Sequence, residues 1–184
     1  VNEASRLIDY SKGNQKDVLK GVGLDSRIGS HYFRPSPAWG GSCFPKDLIE
    51  VNNFYEEGKL SLPLISNIIE SNDIQSKWTV EKLISILNEE NMNSVLLVGA
   101  AFKEDTDDLR NSPTLDIYAK LLKKDVETII YDEMVELETY KSLENLEDVT
   151  EKTLVVLMYP VKTALMDKIQ TVVSKTNSVM YTPW

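Results

Sequence analysis

Ser94-Val95-Leu96-Leu97-Val98-Gly99 is a short, unbroken apolar run closed by a glycine. It is too short for a core helix and has the composition of a strand covered on both faces, as strands of parallel sheets are. The pattern returns at Thr128-Ile129-Ile130-Tyr131, at Thr153-Leu154-Val155-Val156-Leu157-Met158 and at Ser178-Val179-Met180-Tyr181. Between these runs lie a helix opened by Ser112-Pro113, with Leu115, Tyr118, Leu121 and Leu122 on it, a segment of weak helical signal, and an amphipathic stretch around Leu165, Ile169 and Val173. Strands and helices alternating at this spacing predict a parallel sheet wound with helices, an α/β fold.

Upstream of Asn91 the strand pattern is missing. Ala4 to Leu24 reads as two helical pieces broken at Gly13-Asn14, and Pro45-Lys46-Asp47 opens a helix carrying Leu48, Ile49, Val51, Phe54 and Tyr55, with proline in its first turn. A further helix is predicted from about Pro63 to Asn88, with Ile65 and Ile69, then Val80, Leu83 and Leu87, on its apolar side. Between the first and second of these regions, Gly29 to Ser42 mixes Pro35, Pro37, Gly40 and Gly41 with Tyr32, Phe33 and Trp39, a composition that predicts a long ordered loop. The chain is therefore expected to divide near residue 90, with a helical part at 1–90 and an α/β part at 91–184.

Composition limits the function classes. With 29 acidic and 20 basic residues the net charge is −9, and no Lys/Arg stripe offsets it, which argues against nucleic acid as partner. An apolar share of 42% supports a core, so a soluble globular chain is expected. No apolar run approaches the length of a membrane span, and Val1-Asn2-Glu3-Ala4 has the look of a chain entered partway rather than of a signal peptide. One Cys and one His leave neither a disulfide framework nor a multi-ligand zinc site, and point to a reducing, cytoplasmic setting.

Two stretches carry candidate chemistry. In Trp39-Gly40-Gly41-Ser42-Cys43-Phe44-Pro45-Lys46-Asp47 the glycines allow close approach to the backbone, and Cys43 falls at a helix N-terminus with Lys46 three residues on. A thiol so placed is expected to be partly ionised and nucleophilic, with Asp47 available to orient Lys46 or a water; the competing reading is a small buried hydrophobe. A Cys protease would need His31, which lacks partners of its own, so that class is disfavoured. The second stretch, Gly99 to Pro113, follows the first strand, where open α/β sheets bind ligands. Phe102, Lys103 and Arg110 there offer a stacking face and two cations to an anionic ligand, although the stretch is not the G-x-G-x-x-G fingerprint and a solvated charged loop would read similarly. Asp105, Asp107 and Asp108 lack the rest of a calcium loop, so capping or ion-pair roles are favoured and no metal is expected.

Taken together, Gly-Gly-Ser-Cys-Phe-Pro-Lys-Asp at 40–47, Phe-Lys-x-x-Thr-Asp-Asp-x-Arg-x-Ser-Pro at 102–113 and Arg27-Ile28-Gly29 resemble the motifs of the UDP-glucose/GDP-mannose dehydrogenase family, in the family's order. The resemblance implies a helical dimerisation domain followed by a Rossmann-like sugar-nucleotide domain, with the family's N-terminal NAD-binding domain outside the chain. It implies oxidation of UDP-glucose to UDP-glucuronate with two NAD through a thiohemiacetal and a thioester on Cys43, Asp47 assisting water; a fragment of this kind is not expected to turn over alone. By position, Lys46 and Arg110 would reach NAD, Tyr32, Phe33, Arg34, Pro35, Ser36 and Gly40 would line the sugar nucleotide, Phe102 and Lys103 would contact sugar and diphosphate, and Arg27 would reach the neighbouring subunit's site. GDP-mannose oxidation and a non-catalytic sugar-nucleotide-binding or dimerisation module are the alternatives. Two departures fall in the C-terminal half: Met158-Tyr159-Pro160 stands where the family often has Thr-Glu-Trp, and Tyr181-Thr182-Pro183-Trp184 lacks an Arg; in the helical half, Ala38 replaces a common Gly.

Overall fold

The four apolar runs form one parallel sheet because each can be covered from both sides. In the computed structural model, which describes residues 1–31, 33–56, 58 and 61–183 (55 and 56 by backbone only), β1 (Ser94–Val98), β2 (Glu127–Tyr131), β3 (Leu154–Leu157) and β4 (Val179–Tyr181) lie in the order β2-β1-β3-β4. Val95 pairs with Thr128 on one side and Leu154 on the other, which fixes the register of the central strands. Alternate residues serve opposite cores. Val95, Leu97, Ile130, Leu154 and Val156 pack with α5 (Ile68–Glu90) and α6 (Pro113–Leu122), whereas Leu96, Val98, Tyr131, Val155 and Leu157 pack with α7 (Thr163–Thr176) and the short turn at Leu146–Asp148. Leu97, Leu154 and Leu157 are wholly buried, so truncating any one to Ala costs about 2–5 kcal/mol. The chain reverses direction across the sheet between β1 and β3, the place where open α/β sheets leave a crevice at the strands' carboxyl ends.

The helical half holds α1 (Asn2–Tyr10), α2 (Gln15–Gly23), α3 (Phe44–Glu56) and a single turn, α4 (Pro63–Ser66), before α5. Asn14 caps α2 by accepting the Asp17 amide, and Ser112 caps α6 by accepting the Thr114 amide, the roles their positions before the helices suggest. One difference from the sequence expectation is a break at Asn67 in what reads as a continuous helix from residue 63. The Asn67 side-chain amide donates to Pro63 O at 2.6 Å and the Ser66 hydroxyl donates to the same oxygen, so side chains satisfy the carbonyl that the next helical turn would use. The weakly helical stretch after β2 has only the short turn at 146–148 as helix.

α5 joins the two halves physically. Its second part places Val80, Leu83 and Leu87 in the sheet's core. Polar residues on another side of it serve the helical half: Gln75 accepts from Arg6 of α1 at 2.6 Å, and Lys82 pairs with Asp9 at 2.7 Å. Among the described residues no helix is long and apolar enough to cross a membrane.

Candidate active site

The loop between α2 and α3 has little regular backbone pairing, so its carbonyls and amides need other partners. α5 supplies them from one face. Asn72 accepts the Trp39 amide at 2.9 Å and donates to the Trp39 carbonyl at 3.0 Å, Gln75 donates to Ser36 O at 2.9 Å, and Thr79 donates to Pro37 O at 3.0 Å. Asn2 accepts the Ser36 amide at 3.0 Å from the other side. Gln75 and Thr79 are fully buried, and Pro35, Pro37 and Ala38 are buried. None of these α5 residues emerges from the apolar reading of the sequence; the available signal was uncharged polar residues at i, i+3 and i+7 on one helical face.

The end of the loop is held against the segment after β1. Gly41 donates its amide to Arg110 O at 3.2 Å, and the Asn111 side chain donates to Gly41 O at 2.9 Å. Both glycines are required by contact. A Cβ on Gly40 would stand 1.9 Å from Asn111 O, and Gly41, at φ +101°, lies under the Phe102 ring, which a Cβ would approach to 3.0 Å. The two stretches singled out in the sequence thus meet in space.

Cys43 follows this junction. Its carbonyl accepts the Asp47 amide at 2.9 Å, so it occupies the cap position of α3, and its thiol is exposed with Ser42 Oγ 3.6 Å away. Phe44 anchors the helix start by packing edge-on to Trp39, ring centroids 4.7 Å apart. Lys46 and Asp47 are exposed, with Nζ 3.7 Å from Oδ1. Arg110 is exposed and bound to Asp108 at 2.7 Å. That hydrogen bond and the Asp108 charge raise the Arg110 pKa, with a further contribution from Cys43, and the same contacts hold the Asp108 carboxyl at about 2.

Beside the junction a cleft of about 310 Å³ runs between the loop and the sheet's carboxyl edge. Of the residues expected to meet a ligand, Arg34, Pro35, Ser36, Gly40, Phe102 and Lys103 line it. Lys103 Nζ sits 5.3 Å from the Phe102 ring centroid, and Arg34 lies 4.0 Å from Glu104. Phe33 and Arg27 do not line this cleft; Arg27 is exposed and clasped by Asp25, Nη2 to Oδ2 2.7 Å. Tyr32 lies outside the described residues. The opposite wall contains Met158, Tyr159 and Pro160, which the sequence analysis notes only as departures.

Comparison with known proteins agrees with this assembly of motifs. The central-domain profile of the UDP-glucose/GDP-mannose dehydrogenase family matches residues 1–74, and that family's UDP binding domain profile matches residues 96–179. The chain belongs to the UDP-glucose/GDP-mannose dehydrogenase family. Among family members, the UDP-glucose 6-dehydrogenase of Rickettsia prowazekii (strain Madrid E) is 35% identical over 146 residues, 79% of this chain and 34% of its own length. UDP-glucose 6-dehydrogenase TuaD of Bacillus subtilis (strain 168) is 32% identical over 132 residues, 72% of this chain and 29% of its own. The chain thus spans about a third of the length of these curated relatives. A UDP-glucose dehydrogenase structure from Pyrobaculum islandicum superposes with a TM-score of 0.66 at 27% identity, covering 86% of this chain and 38% of that one. The UDP-D-ManNAc dehydrogenase of Pyrococcus horikoshii shares the fold, with a TM-score of 0.78 at 21% identity over 98% of this chain and 43% of its own.

Proposed function

We propose that these residues form the substrate-binding, thiol-bearing part of an NAD-dependent nucleotide-sugar 6-dehydrogenase that oxidises UDP-glucose to UDP-glucuronate. The observation that carries the reading is the junction at Gly40, Gly41, Asn111 and Phe102, where the loop that lines a cleft bearing Arg34 and Lys103 runs, three residues after Gly40, into an exposed thiol. In this reading residues 1–90 form the dimerising helical domain, residues 91–184 form the nucleotide-holding domain, and the NAD-binding domain lies outside the chain. The exposed apolar side chains of α1 to α3, among them Leu7, Tyr10, Ile49 and Phe54, support a partner subunit over the helical half; Arg27, exposed but held by Asp25, would have to exchange that carboxylate to serve the partner's site. A free exposed thiol fits a reducing compartment such as the cytoplasm.

Cys43, as thiolate, adds to the C6 aldehyde carbon; a C–S bond forms and the oxyanion takes a proton, giving a thiohemiacetal. Loss of hydride from that carbon, with the hydroxyl proton passing to water, leaves a thioester. Water, oriented by Asp47, adds to the thioester carbonyl and expels the thiolate, which frees the carboxylate and restores Cys43. NAD, when bound, supplies the hydride acceptor for both oxidations. Lys46 and Arg110 would suit such a cofactor's diphosphate: both cations are exposed, Lys46 three residues from the thiol and Arg110 at the junction with Gly41. Phe102 and Lys103 hold sugar and diphosphate, while the loop from Arg34 to Gly40 meets the ligand largely through backbone groups.

Cys43→Ser in the parent enzyme is expected to abolish acid formation while leaving UDP-glucose binding nearly intact, followed by mass spectrometry of the product and by titration. Unchanged turnover refutes the assignment. Titrating the chain with UDP-glucose and GDP-mannose tests the substrate: tighter binding of GDP-mannose overturns the choice of UDP-glucose.

A further inference from the structure

Resting on the cleft's reading as a nucleotide-sugar site, we propose that Tyr159 is a specificity-determining residue whose ring forms the cleft's end wall and selects a pyrimidine over a purine base. Tyr159 follows β3 at the point where the sheet's winding reverses, and it lines both the 310 Å³ cleft and a second cavity of about 190 Å³ at the carboxyl ends of β1 and β2. Tyr159, Pro160 and Glu104 line both, and of these the tyrosine ring is the largest part of the shared wall.

The partition is fixed at both ends. The ring rests on Gly99, where φ is +101° and an added Cβ would stand 2.6 Å from the ring's Cζ. The hydroxyl donates to Asp132 Oδ2 at 3.0 Å. That carboxylate is itself anchored, accepting the Ala100 amide at 2.7 Å on Oδ2 and the Met134 amide at 2.8 Å on Oδ1. Swinging the ring aside therefore breaks a hydrogen bond to a charged acceptor, one of the stronger classes of such bonds.

Charge also differs across the ring. The cleft is lined by Arg34, Lys103 and Glu104, the last 4.0 Å from Arg34, so its balance is cationic; the second cavity is lined by Glu104, Asp105, Asp132 and Glu133 against a single cation, Lys162, which is paired to Asp105 at 2.7 Å. An anionic ligand is held on one side and repelled on the other. Its reacting end must reach Cys43, beyond Gly40 and Gly41, so the nucleoside end points along the cleft towards Tyr159 and Pro160. The base then meets the tyrosine ring, and a larger base requires the ring to move.

The test is calorimetric titration of this chain with UDP and with GDP, for the wild type, Tyr159→Phe and Tyr159→Ala. The wild type is expected to bind UDP at least about tenfold more tightly than GDP, in the range by which a pocket rejects a group that does not fit. Tyr159→Phe keeps the ring over Gly99 but loses its tie to Asp132, so it retains most of the preference and stays well above the Ala variant. Tyr159→Ala, which opens the cleft into the second cavity, brings the two affinities to within about threefold. A Tyr159→Ala protein with wild-type circular dichroism that retains the full preference overturns the proposal. So does a wild type that binds GDP as well as UDP, or a Phe variant that behaves as the Ala variant does. If Tyr159→Ala does not fold, Tyr159→Trp replaces it: a larger wall is expected to weaken UDP itself about tenfold, and unchanged UDP affinity overturns the proposal. A wild type that binds neither nucleotide instead refutes the cleft as a nucleotide site, whereas UDP binding with a preference indifferent to residue 159 refutes the wall alone.

Discussion

Gly40→Ala tests the junction on which the site depends. The added methyl would lie 1.9 Å from Asn111 O and 3.0 Å from both that carbonyl carbon and Pro113 Cδ. A carbon and a carbonyl oxygen settle no closer than about 3.3 Å, so the loop must retreat by more than an ångström or so. Such a shift breaks the Gly41 amide to Arg110 O bond and the Asn111 side chain to Gly41 O bond. Each is worth about 1 kcal/mol, and residual overpacking against Pro113 adds about 1–2 kcal/mol. The sum, about 3–4 kcal/mol, lowers the melting temperature by roughly 6–16 °C for a chain of this size. Urea unfolding followed by circular dichroism measures it, with Gly21→Ala as control: nothing lies within 4 Å of a Cβ at helical Gly21, so that change should stabilise by about 0.5–1 kcal/mol. A Gly40→Ala protein within about 0.5 kcal/mol of wild type, a change of the size ordinary surface substitutions make, refutes the close-packed junction.

Gln75→Leu removes the fully buried amide that joins Arg6 to the Ser36 carbonyl, and the groups left behind should cost about 2–3 kcal/mol, read by the same urea assay. Lys103→Ala should weaken UDP binding by about tenfold and flatten its dependence on salt, as loss of one cation from a diphosphate contact does. The Asp108 carboxyl should titrate at about 2 by carbon NMR, because Arg110 lowers its pKa; its contribution to stability is therefore present above the ordinary carboxylate value near 3.8 and lost as pH falls from there through 2. A midpoint near 3.8 would show that the pair does not form.

How far the sequence could be read depended on the range of the interaction. The strands were legible because Val95 to Val98 is apolar without interruption, and a strand buried on both faces requires that of every residue. Ser112 before Pro113 announced a capped helix for the same local reason. The break at Asn67 was not legible, since Asn67 and Ser66 are compatible with a helix and only their bonds to Pro63 O divert it. Within the site, Cys43 and the paired glycines stood out by residue type. Asn72, Gln75 and Thr79 did not, because their partners lie more than thirty positions away in the chain, at |i−j| of 33, 39 and 42. Tyr159 read only as a departure from a pattern, and its meaning depends on Gly99 and Asp132, brought to it by the pairing of β1 with β3 and with β2.

The junction also has a consequence for the order of assembly. Asn111 and Gly41 bond across a sequence separation of 70, so this contact closes only after the sheet and α5 have brought distant segments together. The thiol exists in any partly folded chain, but its cleft does not. Gly41 should accordingly exchange its amide proton through a local opening that leaves the amides of β1 protected, making that one proton a reporter of whether the site is assembled independently of whether the protein is folded.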